Sequence, residues 1–232
     1  MFELTLVGLP IAIVGLVFIK HVRNPFTGEI FAFPAPLVWG LTLFWLIGMM
    51  NTVNFLDGLH GLCGGVSAIA ATVMCVHMVR AGQYGPALLP LALLGTLLGF
   101  LPANFGGRIF LGSGAITLGY LIGTLSLVAG ARVATVALVM GVPAVDVAWQ
   151  IFDRWRRGHS MSEGDRGHLH YRLYDLGLSQ WQVVSIYWAF CALFGALALF
   201  VSPPLYKLVA IAGLAIAVTV VLATLSRRDG RP

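Results

Sequence analysis

Long apolar runs separated by short polar breaks set the pattern of this chain. A helix needs about 20 apolar residues to cross a bilayer, with a lower limit near 17. Runs that meet or approach this length occupy roughly 4–19, 35–50, 61–79, 87–102, 114–130, 133–149, 183–201 and 206–225. The expected fold is all-α: a polytopic transmembrane helical bundle of about eight spans, forming one domain over residues 1–232. Several runs are short, so their ends must extend into flanking polar residues. Pro143 and Asp146 interrupt the end of the 133–149 run, and a broken helix is tolerated there only where it faces protein or a water-filled cavity. The stretch 25–34 reads as an extracytoplasmic turn, and no repeat or low-complexity linker interrupts the series.

Composition supports the pattern. Hydrophobic residues make up 59% of the chain and charged residues 10%, with a mean hydropathy of +0.90; soluble domains carry about 25% charged residues. A net charge of +5 would suit nucleic acid, but in such a chain it reads as Lys and Arg flanking membrane spans, and no nucleic-acid partner is expected. Cys63, Cys75 and Cys191 lie in apolar runs without framework spacing, which argues for buried thiols over disulfides. The first apolar run is one of many and does not resemble a cleavable signal peptide. If the segment 150–182 is cytoplasmic, alternation places 51–60, 103–113 and the C-terminal tail on the same side, which then holds nine of the fourteen Lys and Arg residues. This positive-inside bias predicts a multi-pass protein of the cytoplasmic (inner) membrane. Both termini and the three polar loops would then face the cytoplasm.

Those loops hold nearly every residue suited to chemistry. The first, Asn51-Thr-Val-Asn54-Phe-Leu-Asp57-Gly58-Leu-His60-Gly61, places two amides three residues apart on one helical face. A helix break at Asp57-Gly58 follows, with glycines that permit close backbone approach. A carboxylate at membrane depth signals function by default, although Asp57 also suits a helix cap. The second, Asn104-Phe-Gly106-Gly107-Arg108-Ile-Phe110-Leu-Gly112-Ser113-Gly114, suits a phosphate cradle of backbone N–H groups. It fits a glycine-rich turn with a snorkelling Arg108 equally well. The third runs from Asp146 to Asp165-Arg166-Gly-His168-Leu-His170-Tyr171-Arg172. His168 and His170 face the same way in an extended segment. Without an accompanying Cys-x-x-Cys they suit a polyanion such as pyrophosphate better than zinc.

At these residues the chain resembles the polyprenyl-phosphate N-acetylhexosamine-1-phosphate transferases. The resemblance lies in Asn51-x-x-Asn54-x-x-Asp57-Gly58-x-x-Gly61-Leu62, in Asn104-Phe105 through Ile109-Phe110-Leu111-Gly112 to Gly119, and in Pro143-x-x-Asp146 followed by Asp165-Arg166-Gly-His168-Leu-His170-x-Arg172-Leu173. The motifs occur in family order. Asn24-Pro-Phe-Thr-Gly28 leans toward the N-acetylglucosamine branch over the muramoyl-pentapeptide branch. The resemblance implies transfer of a sugar 1-phosphate, with N-acetylglucosamine the expected sugar, from a cytoplasmic UDP-sugar to polyprenyl phosphate in the bilayer. UMP is released, Mg²⁺ assists, and the product serves cell-envelope polysaccharide synthesis. By the same resemblance Asp57, His168 and His170 are catalytic. Asn51, Asn54, His60, Asn104, Phe110, Asp165, Arg166 and Arg172 bind substrate. A homodimer is compatible with the family.

The chain departs from the family pattern in four places. It contains no Asp-Asp pair, and it begins just downstream of where the family carries one. His60 stands at the second acid of Asp-Gly-x-Asp-Gly, a position implicated in reading the uridine. Phe110-Leu-Gly112-Ser113-Gly114 is one residue shorter than Phe-Met-Gly-Asp-x-Gly-Ser and lacks its magnesium carboxylate, so Asp57 and Asp146 are the remaining candidates for the metal. His168-Leu-His170-Tyr171 replaces His-x-His-His. These departures carry an alternative expectation: a catalytically impaired paralogue or fragment that binds lipid phosphate or a partner subunit and shows little magnesium-dependent transfer on its own.

Overall fold

A computed structural model describes residues 18–19, 21–24, 27, 29–128, 133–157, 167–201 and 204–229. A two-stranded antiparallel hairpin, β1 (His21–Arg23) and β2 (Ile30–Ala32), pairs His21 with Ala32 and Arg23 with Ile30. The Asn24 side chain accepts the Thr27 N–H inside its turn. The stretch read as a plain turn therefore contains β2.

Nine helices follow among the described residues: α1 (Ala35–Leu56), α2 (Leu62–Arg80), α3 (Tyr84–Phe105), α4 (Gly114–Leu127), α5 (Val133–Val139), α6 (Gly141–Arg157), α7 (Leu169–Asp175), α8 (Gln180–Phe200) and α9 (Pro204–Asp229). Five of them, α1, α2, α3, α8 and the bulk of α9, are long and apolar enough to cross a membrane. These are the expected spans at 35–50, 61–79, 87–102, 183–201 and 206–225.

The expectation of eight spans is corrected in two places. The 114–130 run gives α4, whose 14 residues reach only about 21 Å, short of a hydrocarbon core of about 30 Å. The 133–149 run is not one rod: α5 and α6 meet at a 78° bend, so together they count as at most a sixth, broken span. The break falls at Met140-Gly141, just before Pro143. A side chain at Gly141 would run into Leu214 of α9. Beyond the bend, Trp149, Phe152 and Trp155 form a ladder of ring contacts along α6, with Trp155 largely exposed. Asp146, Gln150, Asp153 and Arg154 are buried. Aromatic rings along one side of a helix suit a membrane–water boundary. Nearly all of the 4–19 run lies outside the described residues.

The apolar core centres on α2, where 67% of the spanning window is buried against 17% in α9. Its small residues Gly64, Gly65, Ser67, Ala68, Ala70 and Ala71 let neighbours approach closely. The Trp188 ring of α8 occupies the space where a Gly65 side chain would sit. Across α1 and α4, a Cβ on Gly119 would lie 2.6 Å from the Met49 carbonyl oxygen, and Trp45 Nε1 donates to Ser126 Oγ at 2.8 Å. This packing brings the C-terminal ends of α1 and α3 and the N-terminal ends of α2, α4 and α8 to one end of the bundle, where the polar loops lie.

Candidate active site

The three polar loops were expected to meet in one cleft, and they do. Asp57 follows the last turn of α1. Its Oδ2 accepts the Gly112 N–H at 3.1 Å, joining the first loop to the second. The His60 ring lies 5.0 Å from the Phe110 ring, which is 75% exposed. Gln180, at the start of α8, donates through Nε2 to the His60 carbonyl. Asp57, Gly58, Leu59, His60, Phe110 and Gln180 line a cleft of about 170 Å³. That volume is some six times the roughly 30 Å³ that liquid water takes per molecule. A phosphate group fits it, whereas pockets for whole drug-sized ligands start at about 300 Å³.

Asn104, the first residue of the second motif, is buried. Its Oδ1 accepts the Gly61 N–H at 2.7 Å and its Nδ2 donates to the Ile109 carbonyl at 2.9 Å. Both ends of this amide are spent on backbone, so Asn104 shapes the cleft from beneath. Gly61 is held from both sides, because its carbonyl accepts Trp188 Nε1 at 3.2 Å. Phe105 packs over it, stacked on Trp181 at 4.6 Å. Asn51 turns back onto its own helix, donating through Nδ2 to the Ile47 carbonyl at 2.8 Å. Asn54 sits half-buried on the same turn.

The third motif packs against the first loop at Phe55 and Gly58. The His168 ring lies 5.1 Å from Phe55 and is nearly parallel to His170 at 5.6 Å. His168 Nδ1 is 3.1 Å from Asp146 Oδ2, and Asp146 Oδ1 accepts the Leu169 N–H at 3.0 Å. One helical turn along α6, Gln150 donates to the Gly167 carbonyl. Arg172 Nε donates to the same oxygen at 2.6 Å. His170 is fully enclosed, with both ring nitrogens unpartnered. Gly58 packs so close that a Cβ there would lie 2.5 Å from His170 Nε2. Tyr171 reaches the Gly58 carbonyl at 3.5 Å. Asp165 and Arg166 lie outside the described residues.

Burial pushes the His170 imidazole down to about 4, because an enclosed ring resists charging. The unfolded ring titrates near 6.5, so the folded state favours the neutral form. This contribution to stability is complete above that value and is lost as pH falls toward 4. The melting temperature of the wild type is expected to fall more steeply between pH 6.5 and 4.5 than that of His170→Gln. Parallel slopes for the two proteins would refute this.

Gln150, Tyr171, Gln180, Trp181 and Trp188 were not anticipated. Gln150 lies four residues after Asp146 and Trp188 seven after Trp181, spacings that place each pair on one helical face. That was the available signal.

Magnesium takes oxygen ligands in near-octahedral geometry. Among the described residues no group of three or more His, Cys, Asp or Glu side chains is placed to hold a metal ion. Asp146 has both oxygens engaged, Asp57 has one, and Ser113 offers a hydroxyl at the exposed start of α4. The described donors do not by themselves form a magnesium site. Burial also holds the Asp57 carboxyl above the ordinary carboxylate range, against the Gly112 N–H and nearby His60.

The profile of Glycosyl transferase family 4 matches residues 1–130. The chain is 34% identical over 218 residues to a decaprenyl-phosphate N-acetylglucosaminephosphotransferase of Mycolicibacterium smegmatis, covering 81% of this chain and 54% of that protein. It is 34% identical over 151 residues to a probable undecaprenyl-phosphate N-acetylglucosaminyl 1-phosphate transferase of Bacillus subtilis, covering 62% of this chain and 42% of that protein. It is 29% identical over 189 residues to a phospho-N-acetylmuramoyl-pentapeptide-transferase of Staphylococcus aureus, covering 79% of this chain and 58% of that protein. The chain thus spans about half the length of the curated relatives it matches. With three motif loops gathered at one end of an apolar bundle, a family profile over more than half its length and these relatives, the chain belongs to Glycosyl transferase family 4.

Proposed function

We propose that this chain acts in transfer of a sugar 1-phosphate from a UDP-sugar to a polyprenyl phosphate held in the bilayer, the sugar being N-acetylglucosamine as in the relatives' names. The β-phosphorus of the donor forms a bond to an oxygen of the lipid phosphate, and its bond to the bridging oxygen breaks, releasing UMP. The observation that carries this reading is the meeting of all three polar loops at one end of an apolar bundle. A prenyl tail is soluble only in the bilayer and a nucleotide only in water, so their phosphates can meet only at such an end. The size of the cleft suits the phosphates, with the rest of each substrate outside it. By the distribution of Lys and Arg this end faces the cytoplasm, where UDP-sugars are made.

The test uses the chain in lipid nanodiscs with radiolabelled UDP-N-acetylglucosamine and undecaprenyl phosphate, with and without magnesium. UMP release that depends on the lipid acceptor is the expected result. Absence of release, or release that ignores the acceptor, would count against the reading.

The exposed Phe110 ring and the half-buried His60 beside it make the aromatic pair of the cleft and are the groups suited to the nucleobase. Stacking on an aromatic side chain contributes about 1–3 kcal/mol per base, so Phe110→Ala is expected to weaken UDP-N-acetylglucosamine binding about tenfold or more. Binding of a short prenyl phosphate should be unchanged. Calorimetric titration of both ligands separates the two, and equal losses for both would refute a base-binding role.

A further inference from the structure

We infer that Asp146, supported by Gln150, is a positioning residue that holds His168 in one tautomer, with Nε2 free to take the proton from the phosphate of the lipid acceptor. The inference rests on the transferase reading above and names the residues that prepare the acceptor.

The buried couple is unusually complete. Asp146 uses one oxygen on His168 Nδ1 at 3.1 Å and the other on the Leu169 N–H at 3.0 Å. Both side chains are almost fully buried, at 5% and 3% exposure. A carboxylate only accepts hydrogen bonds, so the contact requires the proton on Nδ1. That leaves the lone pair on Nε2, which has no partner among the described residues. The His168 side chain keeps 5% exposure, whereas His170 keeps none. The ring cannot easily turn away, because Phe55 lies on it at 5.1 Å and His170 is parallel to it at 5.6 Å. The backbone just before it is pinned as well, since the Gly167 carbonyl accepts from both Gln150 and Arg172. Asp146 and Gln150 are one helical turn apart on α6, so a single face of one helix fixes the ring, its tautomer and its approach.

This arrangement suits one chemical task in phosphoryl transfer. Near neutral pH a phosphomonoester exists partly as a monoanion with one P–OH, and its oxygen attacks better once that proton is gone. Nε2 takes the proton, giving an imidazolium and a phosphate dianion. The Asp146 carboxylate stabilises the imidazolium through Nδ1–H, and the proton leaves for solvent afterwards. No oxidant or further reactant is needed. Asp146 touches neither substrate and acts only through His168.

The test uses the whole chain in nanodiscs with ¹⁵N-labelled histidine, the His168 signals being assigned by their loss in His168→Gln. The probe is farnesyl phosphate. In the wild type the proton is expected on Nδ1, and the probe is expected to move the Nε2 resonance. In Asp146→Asn the amide still accepts the Leu169 N–H, while its NH₂ now donates to Nδ1. The ring proton should then shift to Nε2, and the apparent affinity for farnesyl phosphate should fall about tenfold. Gln150→Ala keeps the tautomer and should weaken the probe only severalfold, because Arg172 still holds Gly167. A wild-type ring protonated on Nε2, or a probe that binds without moving the Nε2 resonance, would overturn the inference. Both measurements stand even if Asp146→Asn fails to fold. An unchanged tautomer and affinity in a folded Asp146→Asn would also overturn it. The two readings fail separately: the expected tautomer and probe response without UMP release would sink the transferase reading alone. Acceptor-dependent UMP release at the wild-type rate in Asp146→Asn would sink the positioning role alone.

Discussion

Gly61→Ala is expected to destabilise the protein by roughly 2–4 kcal/mol and to abolish ligand binding in the cleft. Gly61 has φ of +82°, a left-handed conformation that costs an L-residue about 1–2 kcal/mol. Its Cβ would also sit 2.1 Å from the Phe105 ring, which is itself stacked on Trp181 and edge-on to Trp188. Overpacking of this kind adds about 1–3 kcal/mol. The ring cannot withdraw without breaking that stack, and a shifted residue 61 would pull its N–H from Asn104 and its carbonyl from Trp188. Gly95→Ala is the matched control. Its Cβ would meet nothing within 4 Å on α3, so better helix propensity should leave stability unchanged or raise it by up to about 1 kcal/mol. Thermal unfolding in nanodiscs compares the two. Equal melting temperatures for both variants would show that Gly61 is an ordinary turn residue.

The loss at Asn104→Ala should be of similar size, about 2–4 kcal/mol, and should fall on the second loop. The amide bonds both Gly61 and Ile109, and it does so from a buried position. Its removal leaves the buried Gly61 N–H without its partner, at about 1–3 kcal/mol, and gives up the part-buried bond to the carbonyl of Ile109, at about 0.5–1.5 kcal/mol. Asn104→Asp makes the test sharper. An ionised carboxylate still accepts the Gly61 N–H but cannot donate to Ile109, so the 106–113 segment alone should loosen. Hydrogen exchange would then rise at residues 106–113 in Asn104→Asp and around Gly61 as well in Asn104→Ala. Identical exchange in the two variants would contradict the division of labour. These two changes should also reduce UDP-sugar binding, even though Asn104 lies too deep to touch the ligand in this arrangement.

The sequence made the loop cluster legible because it depends on few facts. Apolar runs of known length must cross or stop, and crossing alternates the loops between two sides. The motif residues do gather at one end, although the alternation behind that expectation takes 114–130 and 133–149 as two crossings, where the structure has a 14-residue α4 and a bent α5–α6 pair. Helix 133–149 was harder to read. Apolar content carries no direction, and the bend at Met140 depends on Leu214 of α9 filling the space beside Gly141, a contact some 70 residues away in sequence. The roles within the site were also partly hidden. Asn104 reads from the sequence as a group that meets substrate, because polar residues in a membrane protein signal function, yet both ends of its amide are bonded to backbone. Burial divides such residues into those that act and those that hold others, and burial is decided by packing. Asp146 shows the same division: from the sequence it was a candidate metal ligand, but in the fold both its oxygens are already engaged.

The contacts that build the cleft are also far apart in the order of synthesis. Gly61 waits for Trp188, 127 residues later, His60 for Gln180, 120 later, and Gly58 for Tyr171, 113 later. At about 5–20 residues per second that interval is roughly 6 to 25 s. During it the turn between α1 and α2 stands at the membrane surface without the partners that will enclose it. The cleft is thus a late product of biogenesis, complete only once α8 has been inserted. A ribosome stalled before residue 180 would leave a chain with all of α1 to α6 and no formed site, so binding to stalled intermediates of graded length would time the moment at which the cleft appears.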